Sequence, residues 1–262
     1  MKILSFLAAL LLTFPNLRAA PQAAAPQRDP QALAIIGQAL NAAGGMSPLT
    51  SIQDFTGSGT IDYFWAGQDV QGSVTVKGRG LAQFRVDATL PEGAHSWTMN
   101  NGTALEKHPN GTVTPLPFPL TLRPANSTFP FFRLLAVLQD TSWSISSVGT
   151  VEHNGQQAYD IGLQKMYTDG SDPTGLKSRA TKTDFIIDPN TFLVLSVQDK
   201  AYPKDRGPGD APHEMQFSNY KSFNGILVPF SITELIGGQQ TSTIQLSQFT
   251  FNSGLTDSDF AL

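Results

Sequence analysis

The sequence contains no cysteine among its 262 residues. Small secreted domains with too little apolar core are usually held together by disulfides, so this chain must depend on a hydrophobic core of its own. A bacterial lipoprotein carries its lipid on a cysteine just after the signal sequence. We therefore do not expect the chain itself to be a lipoprotein.

Clusters of basic residues are also missing. The chain has 17 Lys and Arg against 21 Asp and Glu, a formal net charge of −4. Without Lys2 and Arg18, near the N-terminus, 15 basic and 21 acidic residues remain. Nucleic acids and anionic membrane surfaces both attract proteins through a positive surface, so we expect neither as a partner.

No apolar run in the sequence is long enough for a comfortable membrane span. The run at the N-terminus, residues 3–14, is short of the about 20 residues that a bilayer needs. Lys2 precedes it, a proline ends it, and the small residues Ala19 and Ala20 follow. This order is typical of a secretory signal peptide. We expect a signal peptide over 1–19, cleaved near Ala19 or Ala20, and an exported protein, periplasmic or secreted, with no transmembrane segment in its mature chain.

Motifs for common catalytic chemistry are absent. The sequence has no G-x-S-x-G elbow, P-loop, H-E-x-x-H or G-x-G-x-x-G motif. Its four histidines fall in four separate segments, whereas metal ligands must converge; they are His95, His108, His153 and His213. We therefore expect no catalytic residue, no metal site and no cofactor, and a protein that is not an enzyme.

Helical spacing is confined to two segments. Residues 20–29, rich in Ala, Pro and Gln, are predicted to form a flexible leader. Asp29 and Pro30 can then cap and begin a helix, and apolar residues recur at helical spacing over 30–43. The second segment, 130–138, is apolar on nearly all sides, which predicts a helix buried on more than one side.

Period-two alternation prevails in the rest of the chain. Apolar and polar or small residues alternate over 70–76, 84–90, 159–163 and 193–197, and turn sequences separate such segments. Consecutive strands joined by tight turns form an antiparallel meander. We count about ten strands, enough for a strongly curved sheet or a barrel.

The domain organisation is simple. Residues 168–182 and 202–212 are rich in Gly, Pro, Asp and Lys and are predicted to be exposed loops. Neither an internal repeat nor a second composition regime interrupts residues 30–262, so we expect one domain there.

The last predicted strand contains a change of parity. Ile244 and Leu246 share one parity, and Phe249 and Phe251 share the other. If all four side chains face inward, an extra residue must be absorbed near Ser247, which is what a β-bulge does.

Large apolar side chains are abundant, with 17 Phe, 3 Trp and 5 Tyr. A curved sheet with an apolar concave face, covered by an apolar helix, can enclose a hydrophobic cavity. The same residues would equally build an ordinary packed core, and residue types alone do not decide between the two.

Several features occur together in an order that a known family shares. They are the signal peptide, the capped helix ending in Ala42-Ala43-Gly44-Gly45, the meander, the Phe-rich mid-chain helix, and the final segments 220–230 and 251–260. This order resembles the outer-membrane lipoprotein carrier and receptor superfamily (LolA/LolB-like) over most of residues 30–260. The resemblance implies an α+β fold, an unclosed β-barrel with an N-terminal helix and a mid-chain lid helix, and an apolar cavity that takes acyl chains.

The resemblance also implies a non-catalytic binding or carrier protein, with a lipid, an acyl chain or a lipoprotein as its partner, and we expect a monomer. The candidate cavity residues are Phe64, Phe84, Val86, Trp97, Phe131, Phe132, Leu135, Phe230, Ile232, Phe249 and Phe251. Two alternatives stay open: a cell-envelope interaction or stress-sensing protein on the same fold, and a secreted hydrolase. A carrier needs a hollow apolar interior, an interaction protein needs a filled interior with an exposed patch, and a hydrolase needs converging polar groups in a cleft.

Overall fold

The computed structural model describes residues 25–65, 68–116, 128–201 and 210–262. The predicted signal peptide, the first part of the predicted leader, and most of the second predicted loop lie outside these residues. None of the helices in the described ranges is both long and apolar enough to cross a membrane.

Thirteen strands, four α-helices and one 3₁₀ turn make up the described chain. The helices are α1 (Pro30–Ala42), α2 (Met46–Thr50), α3 (Phe131–Gln139) and α4 (Leu176–Thr181), and the 3₁₀ turn is Asp257–Phe260. The strands are β1 (Asp54–Trp65), β2 (Gln68–Arg79), β3 (Gln83–Leu90), β4 (Gly93–Asn100), β5 (Thr103–Lys107), β6 (Val113–Pro115), β7 (Trp143–His153), β8 (Gln156–Lys165), β9 (Thr183–Ile187), β10 (Val194–Ala201), β11 (Ala211–Phe223), β12 (Ile226–Ile236) and β13 (Gln239–Phe251).

All the strands belong to one antiparallel sheet in which two meanders meet. The order is β6-β5-β4-β3-β2-β1-β13-β12-β11-β10-β9-β8-β7, so the first and last strands are neighbours at the centre. The edge strands β6 and β7 do not pair with each other within the described ranges, and the barrel is therefore unclosed. This architecture confirms the predicted fold class. The sheet has thirteen strands rather than about ten because short strands, such as β6 with its 3 residues, cannot display an alternation.

Helix α1 begins and ends as its sequence predicts. The Asp29 side chain accepts a hydrogen bond from the amide of Ala32 at 2.8 Å, and Pro30 occupies the first turn. Gly44 follows the helix with a φ of +132°, and a Cβ there would lie 2.6 Å from the carbonyl oxygen of Gly225. Only glycine combines this backbone angle with so close an approach of another chain segment.

Residues 27–29 are held against the edge strand β7, although their composition predicts a flexible leader. The amide of Asp29 donates to the carbonyl of Ile145 at 2.9 Å, and the amide of Ile145 donates to the carbonyl of Gln27 at 2.6 Å. An edge strand presents unpaired backbone groups, and a passing segment of any composition can bond to them. Composition alone therefore could not predict this order.

Helix α4 lies inside the predicted loop 168–182, which is another difference from the sequence prediction. The Asp172 side chain accepts hydrogen bonds from the amides of Lys177 and Ser178, at 3.0 and 2.8 Å. A side chain that satisfies amides at the start of a helix stabilises a turn that is otherwise too short to form alone.

Helix α3 covers the inner face of the sheet, which we define as the face that carries Phe55 and packs against the helices. The ring of Phe55, on β1, lies 5.9 Å from Phe129, 6.1 Å from Phe132 and 5.1 Å from Phe249. We call these four residues the phenylalanine cluster. Each aromatic pair contributes about 0.5–1.5 kcal/mol beyond its area burial, so the cluster joins α3 firmly to the central strands.

The far end of α3 is held by Arg28. Its guanidinium donates to the carbonyl oxygens of Val137 and Leu138, at 3.0 and 3.2 Å. The last carbonyls of a helix have no partner within the helix, and a cation there also interacts favourably with the helix dipole. Both ends of α3 are thus fixed relative to the sheet.

The predicted bulge is present in β13. The register with β1 moves from Gln248 opposite Ser58 to Leu246 opposite Gly59, which leaves Ser247 as the extra residue. Inner-face side chains on both sides of the bulge are Ile244, Leu246, Phe249 and, in part, Phe251. The prediction from parity is confirmed.

We expect Gly59→Ala to destabilise the protein, because an added Cβ would overlap the carbonyl oxygen of Gln245 on β13. Overpacking of this kind costs about 1–3 kcal/mol in the free energy of unfolding. A Cβ added at Gly37, within α1, would meet no atom within 4 Å, so Gly37→Ala is the matched control. It should stabilise the protein by about 0.5–1 kcal/mol. Urea unfolding measures both; an unchanged midpoint for Gly59→Ala would contradict the tight β1–β13 approach.

Candidate functional site

A cavity of about 380 Å³ lies on the inner face of the sheet beside α3. Its volume is within the range of about 300–1,000 Å³ that small-molecule sites occupy. The apolar lining residues are Ile61, Tyr63, Phe84, Val86, Trp97, Met99, Leu116, Phe185, Val197, Met215, Phe217, Ile236 and Ile244. Strands from both meanders therefore contribute to one mainly apolar chamber.

Strand register builds one wall of this cavity. Val76 on β2 is opposite Val86 on β3, and Val86 is opposite Trp97 on β4. Directly paired residues point to the same face of a sheet, and residues two apart on a strand do so too. Phe84 and Val86 thus reach the cavity through the alternation that the sequence displays over 84–90, and Trp97 reaches it because it pairs with Val86.

The eleven predicted cavity residues fall into three groups. Those that line the cavity are Phe84, Val86 and Trp97. Those that pack in the hydrophobic core beside it are Phe131, Phe132, Leu135, Phe230, Ile232, Phe249 and, partly buried, Phe251. Phe64 is half-buried on β1, outside both groups. The apolar side chains of α3 pack against α1, α2 and the Phe55 ring of β1. Arg133 is the residue of this helix that lines the cavity.

Arg133 gives the helix side of the cavity a positive charge. Its guanidinium donates from Nη1 to Oγ1 of Thr183 at 2.8 Å and lies 5.5 Å from the ring centre of Trp143. The side chain is only 6% exposed, so its contacts are largely desolvated. Cation–π contacts are stronger in such surroundings, about 2 kcal/mol. In the sequence, Arg133 stands out as the one charged residue of the otherwise apolar segment 130–138.

A network of three ionisable side chains, which we call the acid–histidine triad, forms the polar wall, with His213 buried and its two partners half-buried. His213 lies on β11 between Asp199 on β10 and Glu234 on β12. Its Nδ1 donates to Oδ1 of Asp199 at 2.6 Å, and its Nε2 donates to Oε1 of Glu234 at 3.1 Å. Because each ring nitrogen faces a carboxylate, the ring is an imidazolium and the triad carries a net charge of −1.

The protonation of this triad follows from competing effects. Burial on its own lowers the pKa of His213, but hydrogen bonds and charges from Asp199 and Glu234 outweigh it and raise the pKa to about 9. Burial raises the pKa of Glu234, but its bond to His213 and further hydrogen bonds outweigh that, and the net pKa is lowered. Both directions favour the ionised pair at neutral pH.

The triad separates the cavity from a second, open cleft. Asp199 and His213 also line this cleft, whose volume is about 750 Å³. Its cationic lining residues are Arg179, Lys182 and Lys200. The apolar cavity and the polar cleft therefore share one wall, and that wall is charged.

We expect the stability of the protein to fall as the pH rises from about 6.5 to about 9, because the pKa of His213 is raised on folding. A group with a raised folded pKa contributes fully below its unfolded pKa, and the contribution is lost as pH rises through the folded value. The loss is on the order of 3 kcal/mol in the free energy of unfolding. Urea unfolding across this range should give a slope in wild type and a much smaller one in His213→Gln; equal slopes would contradict the network.

Comparison with known proteins finds the fold but no sequence relative. Neither a family model nor a curated protein matches the chain. A LolA superfamily protein from Nitrosomonas europaea is 12% identical with a TM-score of 0.53, over 88% of this chain and 97% of that one. A domain named for outer membrane lipoprotein sorting, from Vibrio parahaemolyticus, is 13% identical with a TM-score of 0.52, over 87% and 95%. A DUF1329 family protein from Desulfovibrio piger is 13% identical with a TM-score of 0.51, over 87% and 96%.

The TM-scores establish the fold, and identities this low leave the activity to be argued from the site. The matches extend over nearly the whole of each solved chain, so they include both meanders. The chain thus has the same fold as these proteins, and this confirms the fold that the resemblance of its sequence implied.

Proposed function

We propose that this protein is a non-catalytic, exported binding or carrier protein that holds a lipid, or the acyl chain of a lipidated protein, in the cavity beside α3. The observation that carries the proposal is the mainly apolar cavity of about 380 Å³ on the inner face. Taking each methylene of an acyl chain out of water contributes about 0.8 kcal/mol, so such a chamber suits an aliphatic ligand. The signal-like N-terminus and a structural relative named for lipoprotein sorting support the same role.

The polar groups on the helix side fit the head of such a ligand. Oγ1 of Thr128 is buried at the cavity and has no hydrogen-bond partner within the part of the chain that the structure describes. Arg133 lies on the same side. A buried hydroxyl without a partner is uncommon in folded proteins. A carbonyl or carboxylate oxygen of the ligand would accept from this hydroxyl and lie close to a positive charge.

The acid–histidine triad argues against the hydrolase alternative. A histidine that activates a serine must have one nitrogen able to accept a proton. Both ring nitrogens of His213 already donate to carboxylates, and Ser242, beside the triad, bonds to Glu234 at 3.4 Å. This geometry holds charge in place and does not form a nucleophile and base. The volume of the cavity likewise favours a carrier over an interaction protein with a packed interior.

We expect Val86→Asp to weaken binding of a fluorescent fatty-acid probe by at least about tenfold, because a carboxylate in the apolar wall loses its hydration. Val148, on the edge strand β7, is 61% exposed and lies away from the cavity. Val148→Asp makes the same chemical change on the outer surface and should bind the probe as wild type does.

A second variant, Val86→Trp, separates filling of the cavity from the charge. It should also reduce probe binding, since the larger ring occupies space that the acyl chain needs. Circular dichroism and the urea midpoint establish that each variant is folded. Absence of probe binding by wild type, or equal binding by Val86→Asp and Val148→Asp, would contradict the carrier proposal and favour the interaction-protein alternative.

A further inference from the structure

Two histidines and a glutamate converge where β4 and β5 pair, at the edge of the cavity. One ligand atom from each of His95, Glu106 and His108 lies within 4.8 Å of the others. The sequence prediction of no metal site rested on these histidines being in separate segments. Their convergence is a property of the folded hairpin.

Strand register explains the convergence. Trp97 on β4 is directly opposite Glu106 on β5. His95 lies two residues before Trp97 on β4, so these two side chains share a face of the sheet. His108 is the residue just past the end of β5, and its ligand atom lies within 4.8 Å of those of His95 and Glu106, which places it on the same side. That side is the inner face, because Trp97 also lines the cavity.

The donor set matches a particular class of metal ion. Two imidazoles and one carboxylate suit Zn²⁺ and other divalent transition metals, whereas Ca²⁺ and Mg²⁺ prefer oxygen ligands throughout. With metal–nitrogen bonds of about 2.0–2.1 Å, the ligand atoms of a tetrahedral site lie about 3.3 Å apart. Nε2 of His108 is already 3.8 Å from Oε2 of Glu106, so small side-chain rotations would close the site.

The surrounding side chains orient these ligands. Nε1 of Trp97 donates to Oε1 of Glu106 at 3.2 Å, and the Trp97 ring stacks on His95 at a centroid distance of 5.6 Å. The contacts of Trp97 limit rotation of two of the ligands, as side chains around bound metals do. Thr114 hydrogen-bonds to Nε2 of His108 at 3.1 Å, and a metal bound to that nitrogen would replace this bond.

The local charge also favours a cation. Glu92 adds a second carboxylate, 3.2 Å from Nε2 of His95. In addition, Nδ1 of His95 is buried and has no hydrogen-bond partner among the described residues. Within the described residues this ring therefore lacks one hydrogen bond.

We propose that His95, Glu106 and His108 bind one divalent transition-metal ion, with Zn²⁺ as the test ion, at the β4–β5 edge of the cavity. Three protein ligands leave a fourth coordination position for water or an oxygen of another molecule. The proposal is independent of the carrier function, because it rests on the hairpin and its side chains only.

Calorimetric titration of the chelator-treated protein with Zn²⁺ tests this site directly. We expect one ion per chain in wild type and an affinity at least about tenfold weaker in His95→Gln and in His108→Gln. His153→Gln is the matched control, since His153 pairs with Glu214 at 2.8 Å, away from this hairpin. It should retain wild-type affinity. Protonation of the imidazoles competes with the metal, so the affinity of wild type should fall in mildly acidic buffer.

Tryptophan fluorescence gives an independent readout of position. Cu²⁺ or Ni²⁺ bound at the site should quench Trp97, whose ring stacks on His95, and Trp97→Phe should lose most of that quenching. Circular dichroism verifies that the glutamine variants are folded. Wild-type Zn²⁺ affinity in a His95→Gln/His108→Gln double variant, or no binding by wild type, would overturn the proposal. Fatty-acid probe binding measured in the same samples reports on the carrier function separately.

Discussion

The packing of the Phe55 ring among Phe129, Phe132 and Phe249 is the contact on which the rest of the inner face depends. Phe55 and Phe249 come from the two strands that join the meanders, and Phe129 and Phe132 come from the segment that forms α3. This cluster therefore links the centre of the sheet to the helix that covers it on that side. Because the cluster fixes the position of α3, it also determines which part of the inner face is filled and which part remains a cavity.

The remaining cavity has an uneven distribution of charge. Arg133 supplies a buried positive charge from α3, and the acid–histidine triad supplies a net negative charge from β10, β11 and β12. Burying ions is costly unless each finds partners, and all of these do. Charged groups on two sides of the cavity would orient a ligand that has a polar head and an apolar chain. An apolar wall alone would hold such a ligand in any direction.

The periodicity of apolar residues predicted the helices and strands well, because it depends on residues that are neighbours in the sequence. The cap at Asp29 and the bulge at Ser247 both follow from local spacing, as does Val86 in the cavity wall. The rotation of α3 about its axis was not predictable, because a helix that is apolar on all sides does not indicate which side faces a cavity. Arg133, rather than Phe131, reaches it. The histidine sites depend on which strands pair and in what register, and alternation within one strand carries no such information.

The meeting of β1 and β13 at the centre of the sheet has a consequence for the order of folding. The two strands lie far apart in the sequence, so the sheet is complete only after β13 has been synthesised and has paired with β1. Pairings between distant segments form slowly, and until then β1 and β12 both expose unpaired backbone groups. Loss of β6 or β7 would only move an existing edge. Loss of β13 would open two new edges in the middle of the sheet, and an incomplete chain is then prone to pair with another copy of itself.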